Sequence, residues 1–379
     1  MKIVSAAIYS LKIPFIESFK HALSERAYSD SIVVSLTTDT GVSGFGEAVP
    51  RPYVTGETHD GCVHCIKEKL LPGTIGLSFD HIRTGEALVA LNKRIPETPR
   101  DGEIIWNAAR CAVELALIDC YLKCKQLSLG VVLPPVSPTV TYSGVISSGS
   151  TTTVQKLAER CTAAGLKYVK MKVSGNGDVE SVAMVRDILG PTVSIRLDAN
   201  AAFTPDTAMQ FIQSVAPYHI ACVEQPIPRG DVSALATLQA WSPVPIMADE
   251  SLVTEADALE LIEKRAVRYF NLRISKCGGI GRTLAIARLA REAGIRVVLG
   301  CQVGETNILS AAGCHVAAHL ADVYAVEGAY GSHLLVEDIA DPPVMFGDGG
   351  SAPALTGAGL GCNVREDLLR RYAAEWIEM

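Results

Sequence analysis

Val193-Ser-Ile-Arg-Leu-Asp198-Ala-Asn200 is an apolar run that stops abruptly on a carboxylate. The same event recurs at near-equal intervals. Ile220-Ala-Cys-Val-Glu224 ends on an acid 26 residues later, and Val244-Pro-Ile-Met-Ala-Asp249 on another 25 residues beyond that. Successive strand-plus-helix units of a barrel give such a repeat, with each acid at the C-terminal mouth of its strand. Three carboxylates at neighbouring mouths would converge on one point, and their oxygens suit a hard divalent cation, Mg²⁺ or Mn²⁺. Asp198, Glu224 and Asp249 are therefore the expected metal ligands.

Lysines flank them at the same period. Tyr168-Val-Lys170-Met-Lys172 lies one unit upstream and Phe270-Asn-Leu-Arg273-Ile-Ser-Lys276 one unit downstream. Lys170 and Lys172, two apart in a strand, point to the same side. The order base, three ligands, base puts Lys172 and Lys276 on opposite sides of the expected ion. A substrate carboxylate held there would have its α-proton acidified, because the second negative charge forms beside a cation. Lys172, with its pKa lowered by Lys170 and the metal, is a base for that proton, and Lys276 can return one from the other face. Taken singly, an acid at a strand end is more often a cap, and a lysine pair in a strand a solvated face. The five positions in register are what point to a site.

The 379 residues allow two domains, one of them a barrel of about 200 to 250 residues. Hydrophobic residues make up 48% and charged residues 20%, ordinary values for a globular chain. The net charge of −7 without long basic runs argues against nucleic acid and anionic membranes as partners, and in favour of a small molecule. No apolar run reaches the roughly 18 residues that would span a bilayer, and Met1-Lys-Ile-Val-Ser opens no secretory signal, so the expected location is cytoplasmic. Eleven cysteines, an odd number at irregular spacing, predict reduced buried thiols. Cys62-Val-His-Cys65 lacks the second pair that a zinc site needs.

Along the chain, residues 1–132 form an α+β module. Alternating strands run to about Gly46, with a loop over 15–28 between two of them, and helical periodicity follows from 59 to 126. A Pro/Ser-rich link, 133–138, opens the barrel at 133–345. Val140–Ile146 is its expected first strand, with a helix capped near Ser150 or Thr151. Ile295–Gly300 and Tyr324–Glu327 are the seventh and eighth strands. Residues 346–379 are a glycine-rich loop and a short helix, 365–378, returning to the first module. His315 and His319 read as ordinary helix histidines, and Gly278-Gly-Ile-Gly281 as a turn.

The motifs K-x-K (Lys170, Lys172), D-x-N (Asp198, Asn200), V-E-Q-P (223–226), A-D-E-S (248–251) and K-x-G-G (276–279) together resemble the enolase superfamily. Within it, the chain is similar to the muconate lactonizing enzyme subgroup over essentially its whole length. The resemblance implies an α/β fold, a modified TIM barrel (β/α)7β beneath an N-terminal α+β capping domain, and a homo-oligomer. It also implies Mg²⁺ on the three acids and acid/base roles for the lysines, with no organic cofactor. Phe19, His21 and Tyr53 from the capping loops would face the substrate, and Asn200, Glu250, Cys301 and Glu327 join them at the mouth. Val54-Thr-Gly-Glu57 is similar to dipeptide epimerases, whereas Glu327-Gly-Ala stands where those enzymes carry D-x-D. The expected reaction is racemisation or epimerisation of an amino-acid- or dipeptide-like carboxylate. Alternatives are muconate-type cycloisomerisation and syn-dehydration of a hydroxy amino acid such as a hydroxyproline. A non-catalytic binder on this scaffold would be expected to show a damaged constellation.

Overall fold

The computed structural model describes residues 1–379 except 22, 23, 99, 329 and 330, and of residues 17–21, 24, 25, 176 and 332 the backbone only. The chain begins with five antiparallel strands. β1 (Ile3–Leu11), β4 (Ile32–Thr38) and β5 (Ser43–Ala48) share one sheet, while β2 (Ile13–His21) and β3 (Ser24–Ser29) form a separate two-stranded ladder. The described residues of 15–28 are therefore two paired strands, not the loop expected from sequence. Their ladder slips between Pro14 and Phe19, which erases the two-residue alternation that would have announced it.

The helix Asn107–Cys124, apolar nearly all round, is buried from 107 to 122. It lies directly on β5 because Gly44 and Gly46 carry no Cβ: one would meet Cys120 N at 2.2 Å and Ala112 O at 2.0 Å respectively. Asp119 of this helix accepts from Phe45 N and from Leu360 N, both at 2.9 Å.

Two short ladders follow outside the barrel, β6 (Thr139–Thr141) with β16 (Ser351–Pro353) and β15 (Ala340–Asp341) with β17 (Asn363–Val364). The expected first barrel strand is thus divided. Its first half pairs outward, and only β7 (Gly144–Ile146) enters the barrel.

The parallel strands then come in chain order: β7, β8 (Tyr168–Lys172), β9 (Ser194–Asp198), β10 (Ile220–Glu224), β11 (Ile246–Ala248), β12 (Tyr269–Arg273), β13 (Arg296–Gly300) and β14 (Val323–Val326). A bridge between Tyr142 and Val326 joins the last strand to the segment entering the first. Seven helices of nine to thirteen residues follow the first seven strands. Ser150 caps the first of them, accepting from Thr153 N at 3.2 Å. Among the described residues, what comes directly after β14 is the single turn Gly331–Leu334. This is the (β/α)7β pattern.

The tail departs from the helix expected over 365–378. Glu366–Tyr372 is helical, but β18 (Ala373–Glu378) runs antiparallel to β1, with Ala7 opposite Glu378. The open edge of β1 offers backbone partners that override the local helix preference. No helix among the described residues is long and apolar enough to cross a membrane. All eleven cysteines are free, and all but Cys124 are buried. Burial pushes the Cys62 thiol well up and the Cys65 thiol to about 12, so this pair is an inert part of the core.

Candidate active site

Register brings the predicted residues together. Lys172 sits opposite Asp198 across β8 and β9, and Asp198 opposite Glu224 across β9 and β10. Asp249 follows β11 directly. All three acids are fully buried. Lys276 is not in a strand: it lies in the one-turn helix Ile274–Cys277, three residues past the end of β12.

Charges of alternating sign connect these groups. Asp198 Oδ2 lies 2.6 Å from Lys172 Nζ and 3.1 Å from Lys170 Nζ. Lys170 Nζ is 3.7 Å from Glu224 Oε1, which is 3.6 Å from the Arg273 guanidinium. Arg273 also pairs closely with Asp249. Lys276 Nζ then donates to Asp249 Oδ1 at 2.8 Å, to Asp249 O at 2.7 Å and to Asn271 O at 2.7 Å. Buried charges survive only when so paired.

The pairing sets the protonation states. Burial pushes the Asp198 carboxyl up, but Lys172 and Lys170 more than offset it and hold it below the carboxylate range. Burial acts on Asp249 in the same way, and Arg273 and Lys276 keep it low. Glu224 is less well served: burial and the Asp198 charge raise it to about 6. Glu250, buried beside Asp249, rises to about 7. Burial would discharge Lys170, yet Glu224 and Glu327 keep its ammonium well above the usual range, so Lys170 is a fixed cation.

No three of the described His, Cys, Asp and Glu side chains are drawn into a closed ligand group. Lys170 stands between Asp198 and Glu224, and Arg273 between Glu224 and Asp249. The donor set still fits a hard divalent cation. It consists of three buried carboxylates at neighbouring strand ends, and Glu224 Oε2 has no hydrogen-bond partner among the described residues. Arg196 Nε lies 3.2 Å from that oxygen without the alignment of a hydrogen bond.

A cavity of ≈ 30 Å³ at the barrel mouth is lined by Tyr53 of the cap and by Lys170, Lys172, Asn200, Arg273, Cys301 and Glu327. Lys172 also donates to Asn200 Oδ1 at 2.6 Å, and Asn200 Nδ2 to Glu250 Oε1 at 3.2 Å. Glu250 stays behind Asn200, and Lys276 behind Asp249; neither lines the cavity. Phe19 and His21 lie in β2, but their side chains fall outside the described residues. Glu327 Oε1 accepts from Lys170 Nζ at 2.8 Å and pairs closely with Arg196.

Sequence reasoning missed Arg196 and Arg273, the two guanidiniums inside the barrel. The signal was present, since Arg196 precedes Asp198 by two residues and must share its face. It also missed Gln225, which explains why V-E-Q-P and A-D-E-S occur together. Gln225 Oε1 accepts from Asp249 N at 3.1 Å and Ser251 N at 3.0 Å, fixing the turn that carries Asp249 and Glu250.

The family described as Enolase C-terminal domain-like matches residues 153–368. The chain belongs to the enolase superfamily. It is an isomerase of the muconate lactonizing enzyme subgroup. The hydrophobic dipeptide epimerase of Enterococcus faecalis is 32% identical over 325 residues, covering 84% of this chain and 87% of that protein. The N-succinyl Arg/Lys racemase of Bacillus cereus superposes with a TM-score of 0.89 over the full length of both chains at 25% identity. The muconate lactonizing enzyme of Pseudomonas putida gives 0.86 over 98% of this chain and all of that one, at 26% identity.

Proposed function

We propose that this superfamily member removes the α-proton of a small carboxylate and returns one on the opposite face, racemising or epimerising an amino-acid- or dipeptide-like substrate. The observation that carries the reading is the placement of Lys172 and Lys276 at either end of a charge chain that runs through Asp198, Glu224 and Asp249. Those three acids would hold Mg²⁺. When bound, the ion supplies the positive charge that makes a neighbouring α-proton acidic. A dipeptide epimerase of Enterococcus faecalis has been solved with Mg and the dipeptide L-Leu-L-Tyr, which supports both assignments.

The chain's own residues supply the rest. Lys172 Nζ reaches the cavity and is the base. Lys170 and Arg273 keep fixed positive charge on its wall for the substrate carboxylate. Lys276, on the far side, is the acid; its ammonium now donates to Asp249 Oδ1, Asp249 O and Asn271 O and would have to leave one of these acceptors to reach the substrate. Tyr53 closes the cavity from the cap.

A second reading, cycloisomerisation or syn-dehydration, uses the same proton abstraction. One observation favours it: Glu327, the acid at the end of β14, is already engaged by two cations and offers a substrate ammonium no unpaired carboxylate.

The test is incubation in D₂O with Mg²⁺ and a panel of dipeptides, N-succinyl amino acids, muconate and hydroxyprolines. Mass spectrometry should find α-deuterium in at least one amino-acid-like member. Lys172→Ala should lower that rate by about 10² to 10⁴-fold, with Mn²⁺ binding by titration retained. Exchange without inversion would favour the second reading. No exchange anywhere would leave a binding protein.

A further inference from the structure

We infer that the cap's long helix, Asn107–Cys124, positions Lys276 through two side chains, Asn107 and Glu114. The inference rests on the reading of Lys276 as the second acid/base group. A one-turn helix such as Ile274–Cys277 has no stability of its own, so the place of Lys276 depends on whatever grips the turn from outside.

Asn107 grips it at the front. Its Nδ2 donates to the Lys276 carbonyl at 2.7 Å and to Val253 O at 2.9 Å, and its Oδ1 accepts from Arg282 Nη1 at 3.0 Å. Glu114, two turns further along the same helix face, holds the start of the next helix, Ile280–Glu292, three residues beyond the turn. Its carboxylate accepts from Ile280 N at 2.5 Å and Gly281 N at 3.0 Å, and it pairs closely with Asn92.

The two glycines of Lys276-Cys-Gly-Gly are the imprint of these side chains. A Cβ on Gly278 would stand 2.8 Å from Asn107 Oδ1, and one on Gly279 only 1.7 Å from Glu114 Oε2. Both glycines also have positive φ, +88° and +109°. Lys172 needs no such brace, because β8 is laddered on both sides, to β7 and β9. One lysine is thus held by strand register and the other by the cap, so damage to the cap helix should be felt on one face of the substrate only.

The experiment uses the full chain with Mg²⁺ in D₂O and both epimers of L-alanyl-glutamate, L-leucyl-tyrosine and N-succinyl-arginine. Lys276→Ala and Lys172→Ala first identify which epimer each lysine serves. Asn107→Ala should then slow α-deuteration of the Lys276-served epimer by about 10- to 100-fold, as a displacement near 1 Å does, and leave the other within about threefold. Glu114→Gln, which keeps its volume and one acceptor, should show the same one-sided loss more weakly and guards against a misfolded Asn107 variant. Equal loss on both faces, or none, overturns the inference. If the wild type deuterates no probe, the proposed function fails, and amide hydrogen exchange decides the inference alone. Segment 274–281 should then exchange at least tenfold faster in Asn107→Ala, with 168–173 unchanged. Unchanged protection of 274–281 overturns it.

Discussion

Glu327 is the residue at which sequence and structure diverge most usefully. Its position after the last strand marks it as a substrate contact, yet it is 5% exposed and its carboxylate answers Lys170 and Arg196. Burial would raise it, but those two cations hold it well below the ordinary glutamate range. It is therefore a counter-ion before it is a ligand. Glu327→Gln is expected to lower unfolding free energy by about 3 kcal/mol, the cost of leaving buried charge without its partner, read from urea midpoints at constant slope. An unchanged or raised midpoint would return Glu327 to the role of a free substrate carboxylate. The three acids were legible because each ends an apolar run, and the lysines because they fall at the same period on either side. Arg196 and Arg273 were passed over because each stands inside its run, where only the two-residue alternation, counted from Asp198 in the case of Arg196, shows which face it takes.

At the scale of elements, long periodic segments read correctly, and apart from the irregular β2–β3 pair the errors fall where pairing partners are distant. Residues 373–378 have helix-compatible composition and become a strand only because β1, more than 360 residues earlier, has an open edge. The helix Asn107–Cys124 and the helix Asn307–His319 needed no such context, being apolar on nearly every face. The second of these carries a pH liability. His315 is 3% exposed, its Nε2 has no hydrogen-bond partner among the described residues, and burial pushes its pKa down to about 4. An unfolded histidine titrates near 6.5, so between pH 6.5 and 4 the unfolded chain binds more protons, and this contribution to stability is lost as pH falls through that window. The loss amounts to about 3 kcal/mol. Glu47 and Glu57, both raised to about 7 by burial, act in the opposite sense, their contribution fading as pH rises from 4.5 to 7. The informative quantity is therefore the difference between His315→Leu and wild type. The urea stability of the variant should fall less between pH 7 and pH 4.5, and parallel curves would refute the buried neutral imidazole. His319, whose ring nitrogen lies 2.9 Å from Pro134 O, is not its metal partner.

At the scale of the whole molecule, the barrel and its cap are one hydrogen-bonded body. Glu47 of β5 accepts from Thr306 N at 2.9 Å and Leu309 N at 3.2 Å, holding the start of a barrel helix as Glu114 holds another. The repeat of strand ends made the barrel readable, whereas these cross-links join residues some 160 to 260 positions apart and leave no periodic trace. The last seven residues close the body. Ala6 and Met379 exchange backbone hydrogen bonds at 2.9 and 2.8 Å, and β18 covers the outer edge of β1. Ending the chain after Tyr372 would strip five paired residues from that edge and expose a run that includes Ile8 and Leu11 to a new partner. With net backbone hydrogen bonds worth about 1 kcal/mol each, the truncated chain should lose about 3 to 5 kcal/mol. Because an uncovered edge templates association, light scattering should also rise at temperatures where the full chain stays clear. The loss should spread to the site through Asn107 and Glu114, so amide protection at 274–281 should fall together with that of β1. A truncated chain with unchanged melting, or one in which β1 loosens and 274–281 does not, would show that the cap and the catalytic mouth are mechanically separate.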